Sequence, residues 1–162
     1  MIGAPLIDHP SELIEFSARA VEHARTREER MTALSDALWS ALSPRGVSWL
    51  GFYLDNPASA PTERLTLGPR RDGPACSPIG IHGVCGTALL TNQIVVVADV
   101  NSLGGNYVAC DPRDRSEIVI PCRDSSGVPW GVLDLDSHSV GCFCEADGVA
   151  LESCLRAAGL TH

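Results

Sequence analysis

The stretch Val-Ser-Trp-Leu-Gly-Phe-Tyr-Leu at 47–54 narrows the fold of this chain more than any other. Its alternation sets Val47, Trp49, Gly51 and Tyr53 on one face and Leu50, Phe52 and Leu54 on the other. Bulky residues of this kind suit a strand at the centre of a sheet. Before it the period is helical, with Leu13, Phe16, Ala20 and Ala24 spaced along 11–25 and Met31, Leu34, Leu38 and Leu42 along 31–42. The charged stretch 26–30 separates or continues these segments, and Ser43-Pro44-Arg45-Gly46 ends them. After a turn at 57–61, residues 63–67 read as a hairpin partner, 84–91 as a short helix, and 94–97, 116–123 and 128–137 as strands. A last amphipathic helix spans 145–158 through Val149, Leu151, Leu155 and Ala158. The expected fold is α+β: one domain with a central antiparallel sheet of five or six strands and flanking helices, which the pattern places on one face.

Size and charge restrict function. At 162 residues and 44% hydrophobic content, a single domain buries roughly 70% of its unfolded surface and needs no disulfide to hold it. The net charge of −8, with 12 basic residues against 20 acidic ones, argues against nucleic acid, whose backbone is bound through Lys and Arg. No apolar run approaches the ~18 residues of a membrane span. Residues 1–10 have neither a basic start nor an unbroken apolar stretch, so a reducing, cytoplasmic location is expected, in which thiols stay available to react.

Seven cysteines, an odd number, then need a chemical explanation. Cys76, Cys85 and Cys110 stand in Gly-Pro-Ala-Cys-Ser, Gly-Val-Cys-Gly-Thr-Ala and Val-Ala-Cys-Asp, all among small neighbours. Cys76 and Cys110 lie in long glycine-rich segments, 68–83 and 101–114, of the kind that binds ligands. Structural zinc draws ligand pairs two to four residues apart, and these three are far more widely spaced, so no metal site is expected. Redox chemistry needs an attacking thiolate, a second thiol within reach and room for a substrate. The trio meets those needs. Cys85 at a helix start would have its thiolate favoured by the helix dipole, whereas Asp111 would raise the pKa of Cys110. Local electrostatics alone therefore selects Cys85 as the nucleophile. Cys122, Cys142, Cys144 and Cys154 read as small buried hydrophobes.

A second constellation is acidic. Asp134 and Asp136 alternate on one strand and share a face, and Glu117 begins the neighbouring strand. Converging acids repel unless one keeps a proton or a cation sits among them, which suits a site for an ammonium group or a proton donor. An exposed polar strand face is the plainer alternative.

Taken in order, the motifs at 47–54, Gly-Pro-Arg-Arg-Asp-Gly-Pro-Ala-Cys at 68–76, Gly-Val-Cys-Gly-Thr-Ala at 83–88, Val-Ala-Cys-Asp at 108–111, Ser-Glu-Ile-Val-Ile-Pro at 116–121 and Gly-Val-Leu-Asp-Leu-Asp-Ser at 131–137 resemble the free methionine-(R)-sulfoxide reductases, a catalytic branch of the GAF-domain fold. The resemblance implies a single GAF-like domain over 1–162, with a family-like core at 31–136, that reduces free methionine-(R)-sulfoxide. It implies that Cys110 attacks, reversing the electrostatic choice, that Cys85 resolves, and that Cys76 is an auxiliary thiol. Glu117, Asp134 and Asp136 would hold the amino group and polarise the sulfoxide, with Trp49 and Tyr53 as the aromatic wall around the methyl-sulfinyl end. No bound cofactor is implied; an external dithiol such as thioredoxin would recycle the disulfide, and a homodimer is expected. The competing reading is a GAF ligand-binding or redox-sensing module with a regulatory disulfide.

Overall fold

In the computed structural model, which describes residues 4–107 and 110–162, the N-terminal helical period resolves into two helices with separate start signals. Helix α1 (Pro10–Ala20) opens on a proline, which is tolerated at a helix start where the N–H has no intrahelical partner. Helix α2 (Arg27–Leu42) opens on a capping box, in which Thr26 Oγ1 accepts from the Glu29 N–H and the Glu29 carboxylate accepts from the Thr26 N–H, both at 3.1 Å. The charged stretch is therefore a helix start, so the first helix stops at Ala20, well short of position 25, and the second begins ahead of Met31.

Five strands follow: β1 (Val47–Asp55), β2 (Leu65–Arg71), β3 (Val95–Val97), β4 (Ser116–Arg123) and β5 (Pro129–Ser137). Helix α3 (Val84–Thr91) lies between β2 and β3, and α4 (Glu145–Ala157) closes the fold. They form one antiparallel sheet in the order β2-β1-β5-β4-β3. Strand β1 has neighbours on both sides, as its bulky alternation leads one to expect.

Each face of the sheet carries its own apolar core. On one, Leu50, Phe52, Ile118, Ile120, Leu133 and Leu135 pack with Leu34 and Leu38 of α2 and Leu151 and Leu155 of α4. On the other, Trp49, Tyr53, Val119 and Val132 pack with Val84, Ala88 and Leu89 of α3. Helices thus cover both faces, not one. The reason is visible in β4, whose Ile118 and Ile120 point one way and Val119 the other, all fully buried; a bare second face would expose Val119 and its neighbours to water. A shift of register between Val47 and Trp49 in the β1–β5 pairing also moves Val47 out of the expected Trp49 face and into the Leu50 core. No helix among the described residues is long and apolar enough to cross a membrane.

Candidate active site

Sheet register builds the floor of a cavity on the α3 face. Asp136 is paired across β1 with Trp49 and across β4 with Glu117, while Asp134 is paired with Gly51 and Val119. The missing side chain at Gly51 makes room for the indole. A Cβ there would lie 2.6 Å from Trp49 Cη2. The Trp49 and Tyr53 rings sit 6.1 Å apart at 35°, and both are almost fully buried. The cavity above them measures about 90 Å³, well above the ~10–15 Å³ that holds a single water.

The walls come from α3 and two loops. Cys85 lies in the first turn of α3 behind the extended Gly83, and Gly86 lets that turn press on the preceding loop. A Cβ at Gly86 would meet the Ile81 carbonyl oxygen at 2.0 Å and its carbonyl carbon at 2.2 Å. Because these are backbone atoms, Gly86→Ala is expected to cost on the order of 3 kcal/mol and to displace Cys85, as urea unfolding and a fall in activity would show. On the opposite rim, the Tyr53 hydroxyl donates to the Cys76 carbonyl at 2.8 Å and so ties the 72–76 loop to β1.

Cys76 and Cys110 are joined as a disulfide, with Cα atoms 5.5 Å apart. This differs from the expected pairing of Cys85 with Cys110. Cys85 is free and buried, and its thiol donates to Asp134 Oδ2 at 3.3 Å. The electrostatic expectation for Cys85 is reversed as well. Burial pushes its pKa well up, and the charges of Asp134, Glu117 and Asp136 push it further; in a dry acidic pocket these effects exceed the pull of a helix start. Near Cys110 the sign changes the other way. Arg113 clamps the Asp111 carboxylate through Nε at 3.0 and 3.2 Å and Nη2 at 2.7 Å, so the acid next to Cys110 is offset by a guanidinium and is held below its usual carboxylate range.

The three floor acids keep their protons far above the ordinary range. Burial is the leading cause for Glu117, Asp134 and Asp136, and each is pushed further by the charge of another acid. Among the described residues Trp49 Nε1 is a buried donor with no hydrogen-bond partner, and it faces this cavity. Glu117 and Asp134 hydrogen-bond one another through a retained proton, so the indole N–H is the buried group left to meet a ligand.

The structure thus brings Trp49, Tyr53, Cys85, Cys110, Glu117, Asp134 and Asp136 around one cavity, with Cys76 joined through its bond to Cys110. Val108 and Ala109 of the Val-Ala-Cys-Asp motif lie outside the described residues. Cys122 and Cys154 are fully buried in the other core, as small apolar residues. Sequence reasoning missed an outer polar group. His138 Nε2 lies 3.6 Å from Asp111 Oδ2 and 3.7 Å from Asp114 Oδ1. The Asp-Pro-Arg-Asp-Arg run at 111–115 was the available signal. Two sets of donors have metal-like spacing, Cys85 with Glu117 and Asp134, and Asp111 with Asp114 and His138.

Asp114 is pushed up to about 6, first by burial and then by the charge of Asp111. A carboxyl whose folded-state pKa exceeds its unfolded value favours folding in its protonated form, so its contribution grows as pH falls from about 7 to about 5. Asp114→Asn is expected to flatten that part of the curve of unfolding free energy against pH. An unchanged slope would remove Asp114 from the account.

The GAF domain family matches residues 19–161. This chain belongs to the GAF domain family. Several relatives of this GAF domain are known as enzymes. It is similar to the free methionine-R-sulfoxide reductase of Saccharomyces cerevisiae, with 37% identity over 121 residues, 73% of this chain and 66% of that protein. Its fold matches the structure described as fRMsr of Staphylococcus aureus in reduced form, with 33% identity, a TM-score of 0.80 and coverage of 93% of this chain and 92% of that one. It also matches the free methionine-R-sulfoxide reductase of Neisseria meningitidis in complex with its substrate, with 29% identity, a TM-score of 0.83 and coverage of 96% and 89%. The matched stretches take in 58% to 66% of the curated relatives' own lengths. Within its family the GAF domain described here belongs with these reductases.

Proposed function

We propose that this GAF domain reduces the free amino acid methionine-(R)-sulfoxide to methionine. The observation that carries the reading is the Cys76–Cys110 disulfide beside a small cavity floored by buried acids and walled by Trp49 and Tyr53, in a chain resembling enzymes named for that reaction. In this reading the methyl-sulfinyl end lies against the two rings, and the charged amino group reaches the carboxylates. A substrate whose amino group is acylated loses that contact.

The Cys110 thiolate attacks the sulfoxide sulfur while a floor carboxyl, kept protonated by burial, gives its proton to the departing oxygen. Attack forms an S–S bond in a sulfurane; as the protonated oxygen shifts from the methionine sulfur to the Cys110 sulfur that S–S bond breaks and its electron pair stays with methionine, leaving methionine reduced and Cys110 oxidised to a sulfenic acid. The resolving role, which the resemblance implied for Cys85, is proposed for Cys76, because Cys76 is the partner bonded to Cys110. Its sulfur displaces the sulfenic oxygen as water and forms the disulfide. An external dithiol of the thioredoxin class then takes up the disulfide by exchange, restoring both thiols and becoming oxidised in their place. A reducing, cytoplasmic setting supplies such a donor. The net change is one sulfoxide and one dithiol converted to one methionine, one disulfide and one water.

Turnover of the R and S epimers of free methionine sulfoxide and of an N-acylated analogue, read through thioredoxin oxidation, tests the reading. Activity is expected with the free R epimer alone. A domain that forms its disulfide with peroxide yet turns over none of the three would be a redox sensor instead.

A further inference from the structure

An amino acid brings a carboxylate into the cavity as well as an ammonium group, and a carboxylate needs hydrogen-bond donors, which an acidic wall supplies poorly and a guanidinium supplies well. Six acids line the cavity, and Arg113 is the one cation among the described residues that does. Arg113 belongs to the Asp-Pro-Arg-Asp-Arg run at 111–115. Its guanidinium is already oriented. Nε donates to Asp111 Oδ1 at 3.0 Å and to Oδ2 at 3.2 Å, and Nη2 donates to Oδ2 at 2.7 Å, a grip along the side of the planar fork. Asp111 also accepts from the Arg113 backbone N–H at 3.0 Å, which fixes the pair to the segment carrying Cys110. A guanidinium has five N–H donors, and this side-on pairing leaves the end of the fork, both N–H bonds of Nη1 and one of Nη2, without a partner among the described residues. That edge can take a second carboxylate through two parallel bonds. The Arg113 side chain is 68% exposed, which sets it at the mouth of the cavity, above the buried floor acids.

We propose that Arg113 binds the α-carboxylate of the amino-acid substrate through the free end of its guanidinium, and so makes the site selective for free amino acids over their carboxyl-blocked derivatives. The substrate is that of the function proposed above, on which this inference rests. With the methyl-sulfinyl end against Trp49 and Tyr53 and the ammonium group at the floor acids, the carboxylate, borne on the same carbon as the ammonium group, is left to the upper wall that Arg113 lines. Arg113 lies three positions after Cys110, so the segment that delivers the nucleophile also holds the substrate. A methionine sulfoxide inside a polypeptide lacks both the free ammonium group and the carboxylate, and so loses both contacts. Because Asp111 already balances the charge of Arg113, the gain comes mainly from two directed, charge-assisted hydrogen bonds at an exposed rim. Such bonds are worth roughly tenfold in affinity.

The primary amide of methionine sulfoxide, which keeps the free amino group and lacks the carboxylate, tests this against the free acid. The parent protein is expected to favour the acid by about tenfold in kcat/KM, and Arg113→Ala to bring that preference close to one by raising KM for the acid alone. Arg113→Lys, which keeps the charge but not the fork, should fall between the two. The ratio of the two substrates carries the result. Loss of Arg113 also removes the partner of Asp111 beside Cys110, and a change in thiol reactivity moves both substrates alike. An acid-over-amide preference that survives Arg113→Ala overturns the proposal and gives the carboxylate to the backbone N–H groups at the start of α3, which line the same cavity. A parent protein with no preference overturns it too. If neither substrate is turned over, the reductase reading fails, and calorimetric titration of the disulfide form with methionine and with methionine amide decides the carboxylate site by itself. Methionine binding that weakens about tenfold in Arg113→Ala while amide binding holds would support it; equal losses, or no binding of methionine, would overturn it.

Discussion

Cys110→Ser is expected to abolish even a single turnover of free methionine-(R)-sulfoxide, a loss of roughly 10⁴-fold or more, because a serine hydroxyl beside a carboxylate is a poor nucleophile toward sulfur. Cys76→Ser should behave differently. It leaves the attacking thiol intact, so the first encounter should release one equivalent of methionine and then stall at the Cys110 sulfenic acid, which a dimedone adduct read by mass spectrometry would reveal. Cys85→Ser should still form the Cys76–Cys110 disulfide and continue to cycle at reduced rate, because Cys85 is hydrogen-bonded to Asp134 rather than bonded to Cys110. A single-turnover burst in Cys85→Ser with uninterrupted cycling in Cys76→Ser would return the resolving role to Cys85.

Glu117→Gln is expected to lower kcat/KM by roughly 10²–10⁴-fold, the range lost when a positioned proton donor is removed, while leaving thermal stability unchanged or higher. The stability half of the prediction distinguishes it from ordinary damage. Glu117 is buried at 5% exposure and shares the floor with Asp134 and Asp136, so the folded protein bears the cost of three converging acids. An amide of the same shape lightens that cost. Activity and stability should therefore move in opposite directions, as they do where a site is strained for function. Steady-state kinetics paired with thermal denaturation measure both. Activity within a few-fold of the parent would show that Glu117 takes no part in the chemistry.

The element plan is legible in the chain because each segment carries its own period. Helix α3 and strand β4 have the expected bounds, since a Gly-rich approach, a run of apolar residues and a turn at Ser125-Ser126-Gly127 are local signals. The boundary between α1 and α2 was harder to place. Residues 21–30 are polar enough to continue a helix, and only the Thr26–Glu29 box decides where one ends and the next starts. Covering of the second sheet face was less accessible still. Val119 in β4 and Val132 in β5 imply a cover for that face, but α3 reaches it only after the chain has crossed the 72–83 loop.

The site divides in the same way. Which residue types would do the chemistry, three thiols with small neighbours and three acids with strand spacing, was readable from Cys76, Cys85, Cys110, Glu117, Asp134 and Asp136 in one dimension, because period and composition are properties of the chain. Which thiol pairs with which was not. Cys76 and Cys110 are separated by 34 positions, and their approach depends on Tyr53 anchoring one loop to β1. The thiol of Cys85 is committed to Asp134, 49 positions away, through the packing of α3 on β5. The effective charge around each sulfur followed from the same packing. A helix start argued for an acidic Cys85 thiol and a neighbouring aspartate against Cys110, but burial among carboxylates and the Arg113 clamp reversed both. Dehydration and through-space charge outweigh chain neighbours in a closed pocket, and both depend on distances that only folding creates.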